Sequence, residues 1–356
     1  MLSATTQRKD LDCQIQKMSP EMQLDLRFHA GFVATVSLEN IAASAQTLSM
    51  FARVTPLNSP DRSLVLAEEI AAPAIDRRRG GEVDLPGEFV VGPGCYQVDW
   101  LVRDSTGRAC TAHWQVEAKL RGDFADAPLA IAADSAGESP ADPFQNTNPP
   151  KRKRDRSLSV RVLVNLSTGP SGVPAVSEGD GRALLAILHA VEREPLFGRF
   201  SVVAFSTDEQ RVFYRQPPGP RIDFPALGKA AKTILRPGTV DIGQLADAKS
   251  DARFMLGLLE EGLNRNEPAP DLVIVVSSKV ITDSRIPGEM LSTIAAPPCP
   301  VFYLNYVADP TANPWQGAMG AALKFYRALQ YSITRPRDLT SALRAMALRM
   351  SQSTNH

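Results

Sequence analysis

The sequence predicts two domains of different class, an antiparallel β-sandwich followed by an α/β domain with a doubly wound, mostly parallel sheet. Three observations carry this. Apolar and polar residues alternate with period two through residues 22–118. Continuous apolar runs alternate with helix-period segments through residues 158–353. Between them, residues 119–157 are rich in Pro, Ala, Asp and Ser without a sustained period, and read as a disordered linker. At 356 residues the chain is also long for a single core.

In the first domain the alternating segments are DLRFHAGFVATVSL, TLSMFARVTPL, SLVLAEEI, EFVV and CYQVDWLVRDSTGRACTAHWQVEA. The last reads as a hairpin about a Ser105-Thr-Gly107 turn. Tyr96, Val98, Trp100 and Val102 share a face with Cys110, Ala112, Trp114 and Val116, while Gln97, Asp99, Arg103, Thr111, His113 and Gln115 take the other. One dry and one wet face is what a sandwich requires. Trp100 and Trp114 therefore belong in its core. The run Gly92-Pro-Gly-Cys-Tyr96 resembles the tyrosine corner that opens a late strand of immunoglobulin-like domains, and the strand count makes that the expected fold.

In the second domain SVRVLVNLS reads as a strand and GRALLAILHAVERE as a helix with Leu184, Leu188 and Val191 on one face. RFSVVAFSTDEQRVFYRQ is a strand pair turning at Thr207–Gln210. DFPALGKAAKTIL and ARFMLGLLEEGLNR are helices, the second carrying Phe254, Leu258 and Leu263. DLVIVVSS and CPVFYLNYV are buried strands, and the last helix places Leu339, Leu343, Met346 and Met350 at helical spacing. Such alternation implies right-handed crossovers.

Composition narrows the function. With 44% hydrophobic residues the chain can bury a core, and equal numbers of basic and acidic residues, 39 each, give no global field for nucleic acid. The basic run Lys151–Arg154 reads as a solvated linker end. No apolar run is long enough to span a bilayer, and the amino terminus lacks a signal-peptide core. Four cysteines, Cys13, Cys95, Cys110 and Cys299, lack zinc spacing and are expected to be free or buried thiols. A hairpin centred near residue 106 sets Cys110 opposite Val102 and Cys95 opposite Glu117, which argues against a bridge between those two cysteines. A bridge between Cys13 and Cys110 stays open.

The strand ending in Val164 delivers the polar loop Asn165-Leu-Ser-Thr-Gly169, as a parallel strand does at a ligand-binding edge. The order of elements over 158–353, with the strand pair at 200–214 and Ile333-Thr-Arg-Pro-Arg-Asp-Leu339 before the last helix, resembles a von Willebrand factor A domain. The whole chain, including GPGCYQVDWLVRDSTGRAC and ANPWQGAMG, is similar to an uncharacterised acidobacterial family joining a β domain to such an A-like domain. The resemblance implies a divalent-cation site built from an Asp-x-Ser-x-Ser loop, a later Thr, and an Asp closing the fourth strand. The matching positions are Asn165, Ser167 and Gly169, then Thr239, then Ser277 or Ser278. The hydroxyls of Ser167 and Thr239 persist, but both carboxylates are replaced. Mg²⁺ gives up water reluctantly and needs anionic oxygens. The expectation is thus no metal and no cofactor, with Ser167, Thr239, Asp180 and Asp241 (or Asp283) as the only set left for Mg²⁺.

Catalysis has little to work with. Asn165-Leu-Ser167-Thr-Gly169 departs from a nucleophile elbow at its first residue, and a long loop precedes the next helix. A base is scarce among His29, His113, His189 and His356, and the glycines at 169–172 and 179–181 do not form a phosphate loop. Trp315, in a Pro/Asn loop, is a candidate contact residue. The expectation is a non-enzymatic binding or adhesion-type protein that docks a protein ligand on residues 165–172, 238–242 and 277–284. A cation-dependent binder is the alternative and a serine hydrolase at Ser167 a weaker one. No export signal is visible, so the chain as written reads as cytoplasmic if Met1 is the true start. Pairings of a β-sandwich with an A-like domain narrowly favour the alternative, an exported or periplasmic protein whose signal lies upstream of Met1.

Overall fold

The computed structural model describes residues 8–37, 47–71, 81–120, 129–139, 142, 144–146, 157–166, 178–207, 209–232, 248–263, 269–278, 286, 288–292, 295–307 and 318–353. The chain divides into two compact units, Met1–Ala141 and Asp142–His356.

The first unit holds strands β1 (Cys13–Met22), β2 (Phe28–Ser37), β3 (Thr47–Pro56), β4 (Leu64–Ala71), β5 (Glu82–Val91), β6 (Gly94–Asp104), β7 (Ala109–Ala118) and β8 (Ala136–Glu138). They form two antiparallel sheets, ordered β1-β2-β5-β8 and β4-β3-β6-β7, whose inner faces share one core. Phe32 stands edge-on to both Trp100 and Trp114, with ring centroids 6.0 and 5.8 Å away. The β6–β7 ladder pairs Val102 with Cys110, Trp100 with Ala112 and Cys95 with Glu117, the register read from the hairpin pattern. The Tyr96 hydroxyl lies 2.9 Å from the Gly92 carbonyl and 3.0 Å from that of Ser135, and accepts from the Ser135 N–H at 3.1 Å. Burial raises this phenol to about 12.

Three expectations need correction here. The sandwich begins before residue 22: β1 is an edge strand, mostly exposed and interrupted by Pro20, so its alternation is weak in sequence. The segment 119–157 is not a linker throughout, because β8 pairs with β5 and its three residues are too few to show a period. Cys13 and Cys110 are not free thiols: they form a disulfide with Cα atoms 6.4 Å apart. That bond staples β1 in one sheet to β7 in the other. Cys95 and Cys299 remain thiols.

On the outer surface of the sandwich, His29 bridges two acids, with Nδ1 2.6 Å from Glu88 Oε1 and Nε2 3.0 Å from Asp25 Oδ2. Burial alone would favour the neutral ring. The hydrogen bonds to Asp25 and Glu88 outweigh it and hold the imidazolium up to about 9.

The second unit contains β9 (Leu158–Asn165), α1 (Glu178–Arg193), β10 (Phe197–Ser206), β11 (Arg211–Gly219), α2 (Phe224–Ala231), α3 (Ala248–Leu263), β12 (Leu272–Ser278), α4 (Gly288–Leu291), β13 (Val301–Tyr306), α5 (Ala318–Phe325), β14 (Leu329–Ile333) and α6 (Pro336–Ser353). The sheet is ordered β11-β10-β9-β12-β13-β14, parallel except for β11 at one edge. Residues from α3, α4 and α5 cover one face, over Leu163, Val273, Val275 and Tyr303. Val160, Val162, Val164, Ile274 and Leu304 point to the other face and are equally buried, so both faces are covered. At Gly262 a Cβ would sit 2.5 Å from Leu163 Cδ1, and its absence lets α3 lie close on β9. The buried Arg161 guanidinium reaches back to the Gly262 carbonyl at 3.2 Å, where a helix end favours a cation.

Two outcomes are expected. Replacing Cys13 and Cys110 by Ser should cost about 2–4 kcal/mol in denaturant unfolding, with the wild type falling to the same value under reductant. His29 titrates at 6.5 unfolded and near 9 folded. Its contribution to stability is therefore complete below the lower value and disappears as pH rises through the upper one. The urea midpoint of the wild type should fall across that window, and that of His29→Gln should not.

Candidate functional site

The order of strands reverses direction between β9 and β12: from β9 the chain goes to β10 on one side, then returns to β12 on the other. In such sheets the carboxyl ends of these two strands flank the natural crevice. Across that edge one row of side chains runs Phe205, Asn165, Ser277, Asn305 and Ser332, in lateral register over five strands. The row below it runs Val203, Leu163, Val275 and Tyr303, and turns polar only at Gln330 on the edge strand β14. On β9, β12 and β13 this face thus changes from apolar to polar between the two rows.

Asn165 and Ser277 are both fully buried. The Asn165 amide donates to Ser277 Oγ at 3.1 Å and to Thr207 Oγ1 at 3.4 Å, while its oxygen accepts the Thr207 N–H at 3.4 Å. Ser277 passes its own proton to the Ser278 carbonyl at 2.6 Å. On the far side the Tyr303 hydroxyl donates to Asn305 Oδ1 at 3.1 Å. Burial holds that phenol far above its usual range. The result is a neutral set of hydrogen bonds joining the turn after β10 to β9 and β12, with the Tyr303–Asn305 pair beside it on β13.

Of the positions singled out in sequence, the structure brings together Asn165, Ser277 and Ser278. Ser167, Gly169, Thr239, Asp241 and Asp283 lie outside the described residues, as do Lys151–Arg154, Trp315 and His356. Asp180 falls in the first turn of α1. His189 stacks on the Phe224 ring at 3.7 Å, a packing role, and His29 and His113 belong to the sandwich unit. Thr207, Tyr303 and Asn305 were not anticipated. Their signal was present all the same: VLVN, VAFST, VIVVSS and FYLN each end an apolar run on an amide or hydroxyl.

These positions do not fit a divalent cation. The amide oxygen and the Ser277 hydroxyl already have partners, and the row contains no carboxylate. Among the described residues no group of three or more His, Cys, Asp or Glu is placed to hold a metal. Among the described residues of this edge a hard cation would meet neutral oxygens alone.

No model of a known protein family matches the chain, and no curated protein does. Among solved structures it is similar to the PilB minor pilin from Streptococcus sanguinis, at 10% identity and a TM-score of 0.32, over 86% of this chain and 88% of that one. It is also similar to a Bacteroides uniformis β-glucuronidase, at 11% identity and a TM-score of 0.21, over 88% of this chain. The chain spans 38% of that enzyme's length. Likenesses this weak decide nothing about its activity.

Replacing Asn165 tests the network. Asn165→Ala strands two hydroxyls and an N–H, and should cost about 1–3 kcal/mol. Asn165→Asp buries a charge where an amide donated, and should cost about 3–5 kcal/mol at neutral pH, less as pH falls towards 4 and the new carboxyl protonates. Urea unfolding at both pH values checks the order.

Proposed function

We propose that the chain is a non-enzymatic binding protein of adhesion type, whose second unit is a von Willebrand factor A-like domain that docks a protein ligand without a bridging cation. The reading rests on one observation: the residue where the resemblance asks for a metal-binding aspartate is a fully buried asparagine, committed to Thr207 and Ser277. Strand order supports it, since a central first strand, a single antiparallel edge strand and a reversal between β9 and β12 are features of the A-like arrangement. The docking surface is then formed by the loops after β9 and β12 and by residues 238–242, with Ser167, Gly169 and Thr239 among them.

The immunoglobulin-like reading of the first unit draws on the Tyr96 hydroxyl bonded to the carbonyl four residues upstream, the local signature of a tyrosine corner. We further propose that the protein works outside the reducing cytoplasm. A disulfide joining the two sheets persists where thiols are oxidised and is lost where they are kept reduced.

Titration calorimetry of the full chain with Mg²⁺, Mn²⁺ and Ca²⁺ should give no heat of specific binding. Micromolar binding abolished by Thr239→Ala would overturn the cation-free reading and favour the cation-dependent one. A serine-reactive probe should leave Ser167 unlabelled, and labelling there would replace both readings with a hydrolase.

A further inference from the structure

Part of the segment between the strands of the sandwich and β9 is packed onto the second unit. Phe144 lies against α2 at Gly228, a buried position where a Cβ would sit 2.6 Å from Phe144 Cγ and 2.7 Å from its Cβ. Any other residue at 228 would push the ring away. The approach of the segment is fixed as well: Asp142 Oδ1 accepts the Phe144 N–H at 2.9 Å, an Asx-turn, and the Asp142 carbonyl accepts the Gln145 N–H at 3.3 Å. Two residues on, Asn146 lines an open groove of about 440 Å³ together with Gln216–Asp223.

The seat is built by the unit's own residues. Glu192, 1% exposed at the end of α1, accepts the Ile222 N–H at 3.1 Å and pairs with Arg221 at 3.3 Å. Gln216 spans the groove, donating to the Arg221 carbonyl at 2.6 Å and accepting the Asp223 N–H at 2.9 Å. Asp223 in turn caps α2 through the Ala226 N–H at 3.0 Å. The loop before α2 is thus shaped by bonds from Glu192, Gln216 and Asp223, and the bare Cα of Gly228 faces Phe144.

We propose that the α2 face around Gly228 is a binding seat for a phenylalanine presented by an Asx-turn peptide, occupied by Phe144 of the same chain, so that the segment from Asp142 to Asn146 is clamped to the α/β unit. The internal segment competes at an effective concentration on the order of millimolar, so a peptide in trans enters only when Phe144 is removed.

The test uses the full chain and a dye-labelled peptide of residues 139–147, Ser-Pro-Ala-Asp-Pro-Phe-Gln-Asn-Thr. By fluorescence anisotropy, Phe144→Ala should bind it about tenfold or more tightly than the wild type does, and a peptide with Ala for Phe should not bind. A folded Phe144→Ala chain that binds no better than the wild type overturns the seat. Hydrogen exchange supplies the second arm: the amides of 144 and 145 should exchange about tenfold faster in Gly228→Val than in the wild type. Equal rates overturn the clamp.

Discussion

The carboxyl edge of the parallel sheet is organised by a single amide. Asn165 ends the central strand, has no exposure to solvent, and must satisfy a polar group with two donors and one acceptor inside the protein. It does so with Ser277 on one neighbouring strand and Thr207 beyond the other. Three chain segments that arrive from distant parts of the sequence are thereby held at one level. An unsatisfied amide at this depth costs about as much as the network gains, so partners and amide come as a set.

This constraint bears on what the edge can do. An aspartate at 165 would have no hydrogens to offer these hydroxyls, and its buried charge would have to draw on theirs, on a proton or on a cation. An asparagine supplies its own hydrogens and needs neither proton nor cation. Among the described residues, Asn165, Ser277, Thr207 and Asn305 hold this edge with neutral groups. Tyr303, its phenol kept protonated by burial, belongs to the same neutral system.

The sandwich unit meets its own constraint differently. Its inner faces meet around Phe32, Trp100 and Trp114, but the amino-terminal edge strand contributes little apolar surface. A covalent bond from Cys13 to Cys110 fixes that strand across the sheets, and the Tyr96 hydroxyl fixes the return segment at Ser135. Both devices secure elements that burial alone would hold weakly. Phe144 at Gly228 plays the corresponding part for the segment beyond, by packing without covalent or ionic help.

Local pattern determined much of this molecule from the sequence alone. Period-two faces foretold the β6–β7 register to the residue, apolar runs marked β9, β12 and β13, and helical spacing put Leu339, Leu343, Met346 and Met350 inside. The type of each residue at this edge was equally legible, because an amide or hydroxyl closing an apolar run is visible in the letters. Tertiary structure alone decided what those letters touch. Asn165 and Ser277 are 112 residues apart, Cys13 and Cys110 are 97 apart, and Phe144 reads as linker until Gly228 leaves room for its ring. Periodicity reports which way a side chain points along its own strand or helix. Which distant partner it meets depends on how the sheets and helices pack, and no local pattern carries that information.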